Sequence, residues 1–122
     1  MIQGLGTDII SIDRIRKSAQ RLGEAFLLKV FTQSEIDYCL RHADPYPSFA
    51  ARFAAKEAAV KALGTGFRNG LSWKDIEVVK NEEGKPSLSF HGASPPLGQF
   101  FLSMSHCKSY ATATVVWVND PS

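Results

Sequence analysis

The chain has 122 residues, of which 44% are hydrophobic and 21% are charged, and its formal net charge is +2. This length and composition fit one globular domain spanning residues 1–122, with a core of its own. No apolar run approaches the roughly 20 residues that span a bilayer, and the N-terminus lacks the pattern of a secretory signal. The net charge is too small to imply nucleic-acid binding by itself. We therefore expect a single domain in the cytoplasm.

The first ten residues predict a strand with an unusual composition. Residues 2–10 read IQGLGTDII, in which Gly4 and Gly6 interrupt an apolar run. Glycine inside a strand often marks the close approach of another backbone or of a ligand. Ser11 follows as a predicted helix N-cap.

The helix expected after Ser11 is amphipathic. Apolar residues recur at helical spacing, and three basic residues fall on the opposite face. These basic residues are Arg14, Lys17 and Arg21. A short helical piece, EAFLLKVF, follows, and the next segment places Thr32 three residues before Glu35, which is the spacing of a capping box. A further helix is predicted there.

A long helix is predicted from near Ser48 to Gly64, a residue type that commonly ends helices in the left-handed conformation. Large apolar residues lie on one face and alanines on the other, so two neighbours can pack against it. Its charges lie at the borders between those faces: Arg52, Lys56, Glu57 and Lys61. Taken alone, the last two favour a surface ion pair at i,i+4, with Lys56 extending past the core.

The second half of the chain reads as strands. The segments SWKDIEVVKN, KPSLSFHG, QFFLSMSH and YATATVVWV are rich in β-branched and aromatic residues, and turn residues separate them. The last two segments predict an antiparallel hairpin. Together these patterns predict an α+β fold, in which one long central helix packs on a mainly antiparallel sheet.

Asp8 is an acid in an apolar strand, where burial is costly unless the carboxylate is paired or binds a cation. If the long helix packs on that strand, Asp8 and Glu57 would form a two-carboxylate site. Such a site suits Mg²⁺, which often takes one or two carboxylates plus substrate phosphates.

Two other motifs leave alternatives open. Gly64-Thr65-Gly66 follows a helix rather than a strand, and its spacing to Gly70 does not match the dinucleotide fingerprint. The turn either presents N–H groups and a hydroxyl to a ligand or simply ends the helix. Ser105 and His106 suggest a serine hydrolase, but adjacent side chains on a strand diverge and no G-x-S-x-G elbow is present. A phosphate contact or a structural role is the favoured interpretation.

Taken together, the motifs resemble a known family. GLGTDIISIDRI, RFAAKEAAVKALGTG, DIEVVKNEEGKPSLSFHG and LSMSH occur in the order and at the spacing of the short bacterial type of holo-[acyl-carrier-protein] synthase, a 4′-phosphopantetheinyl transferase. The similarity covers nearly the whole chain. The chain departs from the family at Ser11, where an acid is frequent, and in its ending VVWVND.

The resemblance implies a fold, an activity and an assembly. Members transfer the 4′-phosphopantetheine arm of coenzyme A to a serine of apo-acyl carrier protein, release adenosine 3′,5′-bisphosphate, require Mg²⁺ and support fatty acid biosynthesis. They are homotrimers with active sites between subunits. A non-enzymatic module that grips an acidic protein or nucleic acid through the basic helix is the competing interpretation.

The resemblance also implies residue roles. Asp8 and Glu57 would hold the metal, Glu57 would be the general base, and Lys61 would take part in catalysis by neutralising the pyrophosphate. The residues implied in coenzyme A binding are Arg52, Lys56, Lys61, Gly64, Thr65, Gly66, Ser105 and His106. The stripe of Arg14, Lys17 and Arg21 would bind the acidic carrier protein.

Overall fold

The computed structural model describes residues 1–67 and 71–119. The elements in chain order are β1 (Ile2–Ser11), α1 (Ile12–Leu22), α2 (Glu24–Val30), α3 (Gln33–Leu40), α4 (Tyr46–Leu63), β2 (Ile76–Lys80), β3 (Pro86–Phe90), β4 (Gln99–His106) and β5 (Tyr110–Val118). A short 3₁₀ turn at Trp73–Asp75 leads into β2. The predicted α+β class is confirmed.

The strands form two antiparallel sheets rather than the single sheet that the sequence predicted. One sheet has the order β1-β5-β4, and the other pairs β2 with β3. The two sheets meet through aromatic rings, because Phe90 of β3 lies 4.5 Å from Phe100 of β4 between ring centroids. The predicted hairpin of the last two strands is confirmed.

The close approach predicted at the glycines of β1 is confirmed. A Cβ added to Gly4 would lie 1.9 Å from the carbonyl oxygen of Ala62, and one added to Gly6 would lie 1.9 Å from that of Ala58. Only glycine permits this contact, since any side chain would enter the helix backbone. The alanine face of α4 therefore packs directly on β1.

The predicted helix ends agree with the structure, with one shift. The Ser11 side chain accepts from the Arg14 N–H at 3.3 Å, and Thr32 and Glu35 form the expected capping box. Gly64 ends α4 with φ 77°. However, α4 begins at Tyr46 rather than near Ser48, because a proline is tolerated in the first helical turn.

The three-stranded sheet has two different faces. Its inner face packs on α4 and buries Ala111, Ala113 and Val115. Its outer face carries Leu5, Ile9 and Phe101, which are 65%, 67% and 52% exposed. Among the described helices, none is both long enough and apolar enough to cross a membrane.

Candidate active site

Asp8 lies on the inner face of β1, opposite Ala113 of β5, and its side chain is 16% exposed. The Lys61 ammonium group lies 3.1 Å from Asp8 Oδ1 and donates to the Thr7 carbonyl oxygen at 3.0 Å. Lys61 therefore pairs with the acid across the helix–strand contact rather than with Glu57 one turn away.

Glu57 is half-buried on the same side of α4. Burial raises the pKa of its carboxyl group, and the negative charge of Asp8 raises it further, whereas Lys61 and Arg14 act in the opposite direction. Because these charges influence one another, Asp8, Glu57, Lys61 and Arg14 share one electrostatic site. Sequence analysis had placed Arg14 only in the carrier-protein stripe.

The carboxylates of Asp8 and Glu57 are the kind of ligand that Mg²⁺ takes when a substrate supplies some of the other oxygen ligands. Two nearby carboxylates repel each other, and a bound cation relieves that repulsion. Across residues 1–67 and 71–119, no cluster of three or more His, Cys, Asp and Glu could hold a metal. Since Mg²⁺ is commonly bound by one or two carboxylates with waters and phosphates, Asp8 and Glu57 suffice as the protein's share.

Arg52 belongs to a different site, a cleft of about 390 Å³. The residue is only 4% exposed, and its guanidinium group lies 4.3 Å from the centre of the Tyr38 ring. Nη1 donates to the Ser48 carbonyl oxygen at 3.4 Å, but Nε is buried without a hydrogen-bond partner among the described residues. A buried donor without an acceptor is uncommon in folded proteins, and it marks Arg52 as a residue whose hydrogen-bonding capacity the described residues do not fill.

The cleft gathers two more predicted residues and several that sequence reasoning missed. Ser105 and His106 line it, as do Lys80 and His42. Lys80 donates to the Tyr38 hydroxyl at 2.6 Å, and this hydrogen bond is the main reason that the pKa of Tyr38 is lowered. No sequence pattern placed the end of β2 beside α3, so the contact between Lys80 and Tyr38 could not be predicted from the sequence.

The alternative of a serine hydrolase, which the sequence disfavoured, gains no support from this geometry. Within the described part of the chain, no hydrogen bond joins Ser105 to His106, and both side chains are exposed at the end of β4. A nucleophilic serine needs its base within hydrogen-bond reach.

The two groups of site residues lie on opposite sides of α4. Lys61 and Arg52 are nine residues apart, which places their side chains about 180° apart around the helix axis. Lys61 reaches β1, whereas Arg52 reaches α3. A single chain therefore brings together Asp8, Glu57 and Lys61, and separately Arg52, Ser105 and His106.

Lys56 belongs to neither group. Its side chain is fully buried and lies 2.8 Å from Glu35 Oε1. The ammonium group also donates to the carbonyl oxygens of Trp73, at 3.0 Å, and Ile76. Burial lowers the pKa of Lys56, and Glu35 opposes that change. Three acceptors around an ammonium group favour a structural role over contact with a ligand.

The Gly64-Thr65-Gly66 turn lies at the end of α4. Gly64 and Gly66 both have positive φ, 77° and 64°, which favours glycine at each position. The turn continues into Phe67, whose ring lies 4.4 Å from that of Trp73 between centroids. Gly70, the third glycine of the tested fingerprint, lies outside the described residues.

The basic stripe of α1 is exposed as predicted, but it contains an acid. Arg14, Lys17 and Arg21 line a shallow concavity together with Asp13. Lys17 lies 3.1 Å from Asp13, and the hydrogen bond from Lys17 is the largest cause of the lowered pKa of Asp13. Part of the positive charge is therefore neutralised within the helix.

Comparison with protein families gives this architecture a class. Residues 4–115 match the model of the 4′-phosphopantetheinyl transferase superfamily. The chain belongs to this superfamily, which confirms the family resemblance read from the sequence motifs.

Individual relatives narrow the class. The chain is 49% identical to a holo-[acyl-carrier-protein] synthase of Protochlamydia amoebophila, over 96% of this chain and 98% of the relative. A crystal structure of that enzyme from Neisseria meningitidis superposes with a TM-score of 0.87 at 33% identity, covering 98% and 100% of the two chains. The enzyme from Bacillus anthracis, in complex with CoA (3′,5′-ADP), gives 0.85 at 36% identity, with coverages of 98% and 99%.

Proposed function

We propose that this protein transfers the 4′-phosphopantetheine group of coenzyme A to a serine of apo-acyl carrier protein, in the cytoplasm and in support of fatty acid biosynthesis. The products are holo-acyl carrier protein and adenosine 3′,5′-bisphosphate. One observation carries the proposal: Asp8, Glu57 and Lys61 converge where α4 meets β1. The near full-length similarity to holo-[acyl-carrier-protein] synthases supports it.

Glu57 is the proposed general base. The carrier serine oxygen attacks the phosphorus that bears the pantetheine arm, the bond from that phosphorus to the bridging oxygen breaks, and adenosine 3′,5′-bisphosphate leaves with the electron pair. The serine proton passes to Glu57, directly or through a water. Burial and the charge of Asp8 raise the pKa of this carboxyl group, which opposes the lowering effect of nearby positive charge and helps to keep Glu57 basic enough for this step.

Asp8 and Glu57 are the residues that would hold Mg²⁺. When bound, the ion would polarise the phosphoryl group under attack and offset charge on the leaving phosphate. Lys61, which Asp8 now holds at 3.1 Å, is free to turn toward the pyrophosphate because its side chain is 53% exposed.

The remaining contacts to coenzyme A are assigned to the cleft and the turn. Arg52, Ser105 and His106 would meet a phosphate or the nucleoside there, and we add Lys80 because its ammonium group lies on the same wall. Backbone N–H groups of Gly64-Thr65-Gly66 would meet another phosphate, as glycine-rich turns commonly do.

A homotrimer is proposed as the working assembly. In one chain, the metal site and the cleft face opposite sides of α4, so a neighbouring copy would have to complete each active site. The exposed Leu5, Ile9 and Phe101 on the outer sheet face form an apolar surface suited to such contact. Sedimentation equilibrium should give three times the chain mass of 13.4 kDa. A monomer at working concentration would contradict this assembly.

The stripe of Arg14, Lys17 and Arg21 is proposed to bind the acidic carrier protein. Lys17→Glu combined with Arg21→Glu should raise the KM for carrier protein roughly tenfold at low salt and reduce its salt dependence. Arg14 is left unchanged because it also affects Glu57. Unchanged KM values at low ionic strength would refute carrier binding by this face.

The proposed function is tested by direct detection of the product. The purified protein is mixed with coenzyme A, apo-carrier protein and Mg²⁺, and the carrier is weighed by intact-mass spectrometry. We expect addition of one phosphopantetheine group, loss of the reaction with EDTA, and no addition to a carrier whose acceptor serine is alanine. No adduct with an authentic apo-carrier protein would overturn the proposal.

A further inference from the structure

The buried pair Lys56–Glu35 joins three elements of the fold at one point. Glu35 Oε1 accepts from the Thr32 N–H at 2.9 Å and lies 2.8 Å from Lys56 Nζ. Glu35 Oε2 accepts from the Val78 N–H at 2.9 Å. The pair thus connects the start of α3, the middle of α4 and the middle of β2.

Lys56 also holds the 3₁₀ turn that leads into β2. Its ammonium group donates to the carbonyl oxygens of Trp73, the first residue of the 3₁₀ turn, and Ile76, the residue after it. The Trp73 ring stacks on Phe53 of α4 at 4.9 Å and contacts Phe67 at 4.4 Å. A chain of contacts therefore runs from Lys56 through Trp73 and Phe67 to the Gly64–Gly66 turn.

A pair of this kind is not explained by stability alone. Taking two charges out of water is expensive, and a well-packed apolar pair of similar size is often as stable or more so. What charged groups add is geometric specificity, since each hydrogen bond fixes the position of a donor relative to one acceptor. Here every ammonium proton has an acceptor, and both carboxylate oxygens are used.

We propose that Lys56 and Glu35 are positioning residues that hold two stretches, Gly64–Phe67 and Trp73–Ile76, in their ligand-binding conformation. The inference rests on the proposed function, because the turn is assigned there to coenzyme A. It differs from the expectation that Lys56 touches coenzyme A itself. With these two stretches already ordered, coenzyme A binding does not carry the free-energy cost of ordering them.

The test is a split between KM and kcat. Lys56→Met keeps the length of the side chain and removes its bonds to Trp73 and Ile76, and Glu35→Gln/Lys56→Met removes both charges together. For the folded variants we expect the KM for coenzyme A to rise roughly tenfold, with kcat within about threefold of wild type, because β1 still holds α4 at Asp8 and Glu57. Unchanged KM in a folded variant would overturn the proposal.

Two controls separate positioning from direct contact and from general weakening. Lys61→Met should reduce the dependence of KM on ionic strength, whereas Lys56→Met should leave that dependence as in wild type, since its charge never meets the phosphates. A reduced salt dependence in Lys56→Met would indicate direct contact. Phe49→Leu, which alters the packing against Phe31, should lower the Tm without changing KM.

Wild-type hydrogen exchange keeps the proposal testable if these variants do not fold. Without coenzyme A, the N–H groups of Ile76 and Val78 should exchange about as slowly as those in the middle of α4. Fast exchange that slows only on addition of coenzyme A would show that the Trp73–Ile76 stretch is not held in advance, and would refute the inference. A wild-type protein that neither binds coenzyme A nor modifies the carrier would instead refute the proposed function.

Discussion

Helix α4 is held on its two sides by opposite means. Toward β1 the contact is made by missing side chains, because Gly4 and Gly6 let the strand touch the helix backbone. Toward β2 it is made by the long side chain of Lys56, which crosses the core to reach Glu35 and two carbonyl oxygens. The first contact is made by backbone atoms and the second by hydrogen bonds of long side chains. The proposed metal ligands lie on the β1 side.

The strongest test of this difference is Gly6→Ala. A Cβ at this position would lie 1.9 Å from the Ala58 carbonyl oxygen, so strand and helix would have to separate and disturb Asp8. We expect a loss of about 4 kcal/mol or more of unfolding free energy, which would leave little folded protein. Urea denaturation measures it.

A second glycine provides the matched control. Gly84 lies in an exposed turn with φ 82°, and no described atom lies within 4 Å of the position that a Cβ would take. Gly84→Ala should therefore cost about 1 to 2 kcal/mol, from backbone strain alone. Equal losses for the two substitutions would mean that the close approach at Gly6 does not determine the fold.

The next test concerns the proposed chemistry on the β1 side of α4. Glu57→Gln and Asp8→Asn change charge with almost no change in shape, so each variant should keep the wild-type Tm within a few degrees. We expect each to lower turnover by about 100-fold or more and to weaken Mn²⁺ binding followed by electron paramagnetic resonance. Asp37→Asn, an exposed change on α3, should alter neither quantity. Wild-type metal affinity in Glu57→Gln would remove Glu57 from the metal site.

The same contrast explains what the sequence could predict. The contact between α4 and β1 could be predicted from local patterns, because glycines in a strand and alanines on a helix face already indicate close packing. They also located Asp8 and Glu57 together, given that packing. Helix ends at Ser11, Thr32 and Gly64 follow from capping chemistry within a few residues.

The side-chain contacts on the β2 side of α4 could not be predicted in this way. Glu35 was recognised only as part of a capping box, and its second role, pairing with Lys56, joins residues that are distant in sequence. Lys80 meets Tyr38 only because β2 ends beside α3. The partner of Lys61 was also wrong, since i,i+4 spacing favoured Glu57 and the fold placed Asp8 closer. Long polar side chains have several reachable partners, and tertiary packing selects among them.

Lys61 gives a smaller and more selective effect. Its ammonium group lies 3.1 Å from Asp8, where it competes with a divalent cation for the same carboxylate. Lys61→Met should therefore tighten Mn²⁺ binding without coenzyme A by about two- to fivefold, the range expected for loss of an exposed ion pair. Turnover should fall, because the pyrophosphate loses a positive partner. Weaker Mn²⁺ binding in the variant would show that Lys61 supports the metal site instead.

The smallest effect is expected on the β2 side, at Glu77. Its carboxylate accepts from the Thr32 hydroxyl and lies 2.9 Å from His91 Nε2. Burial, the largest single cause, raises its pKa, but the hydrogen bonds from Thr32 and His91 together with the positive charges of His91 and Lys56 outweigh it, so the pKa is lowered. A lowered folded-state pKa stabilises the fold above the unfolded value, near pH 4.3, and that contribution is lost as the pH falls through the folded value.

Glu77→Gln should therefore cost about 1 kcal/mol at neutral pH, and the difference from wild type should shrink between about pH 5 and pH 3. Urea denaturation across this range measures it, with His91→Gln as the control that removes one of the two partners. Because these bonds lie on the β2 side of α4, whereas Asp8 and Glu57 lie on the β1 side, turnover at neutral pH should stay near wild type. A pH-independent difference between variant and wild type would mean that the carboxylate charge does not contribute. A large loss of turnover would mean that the β2 side of α4 is as tightly coupled to the reaction as the β1 side.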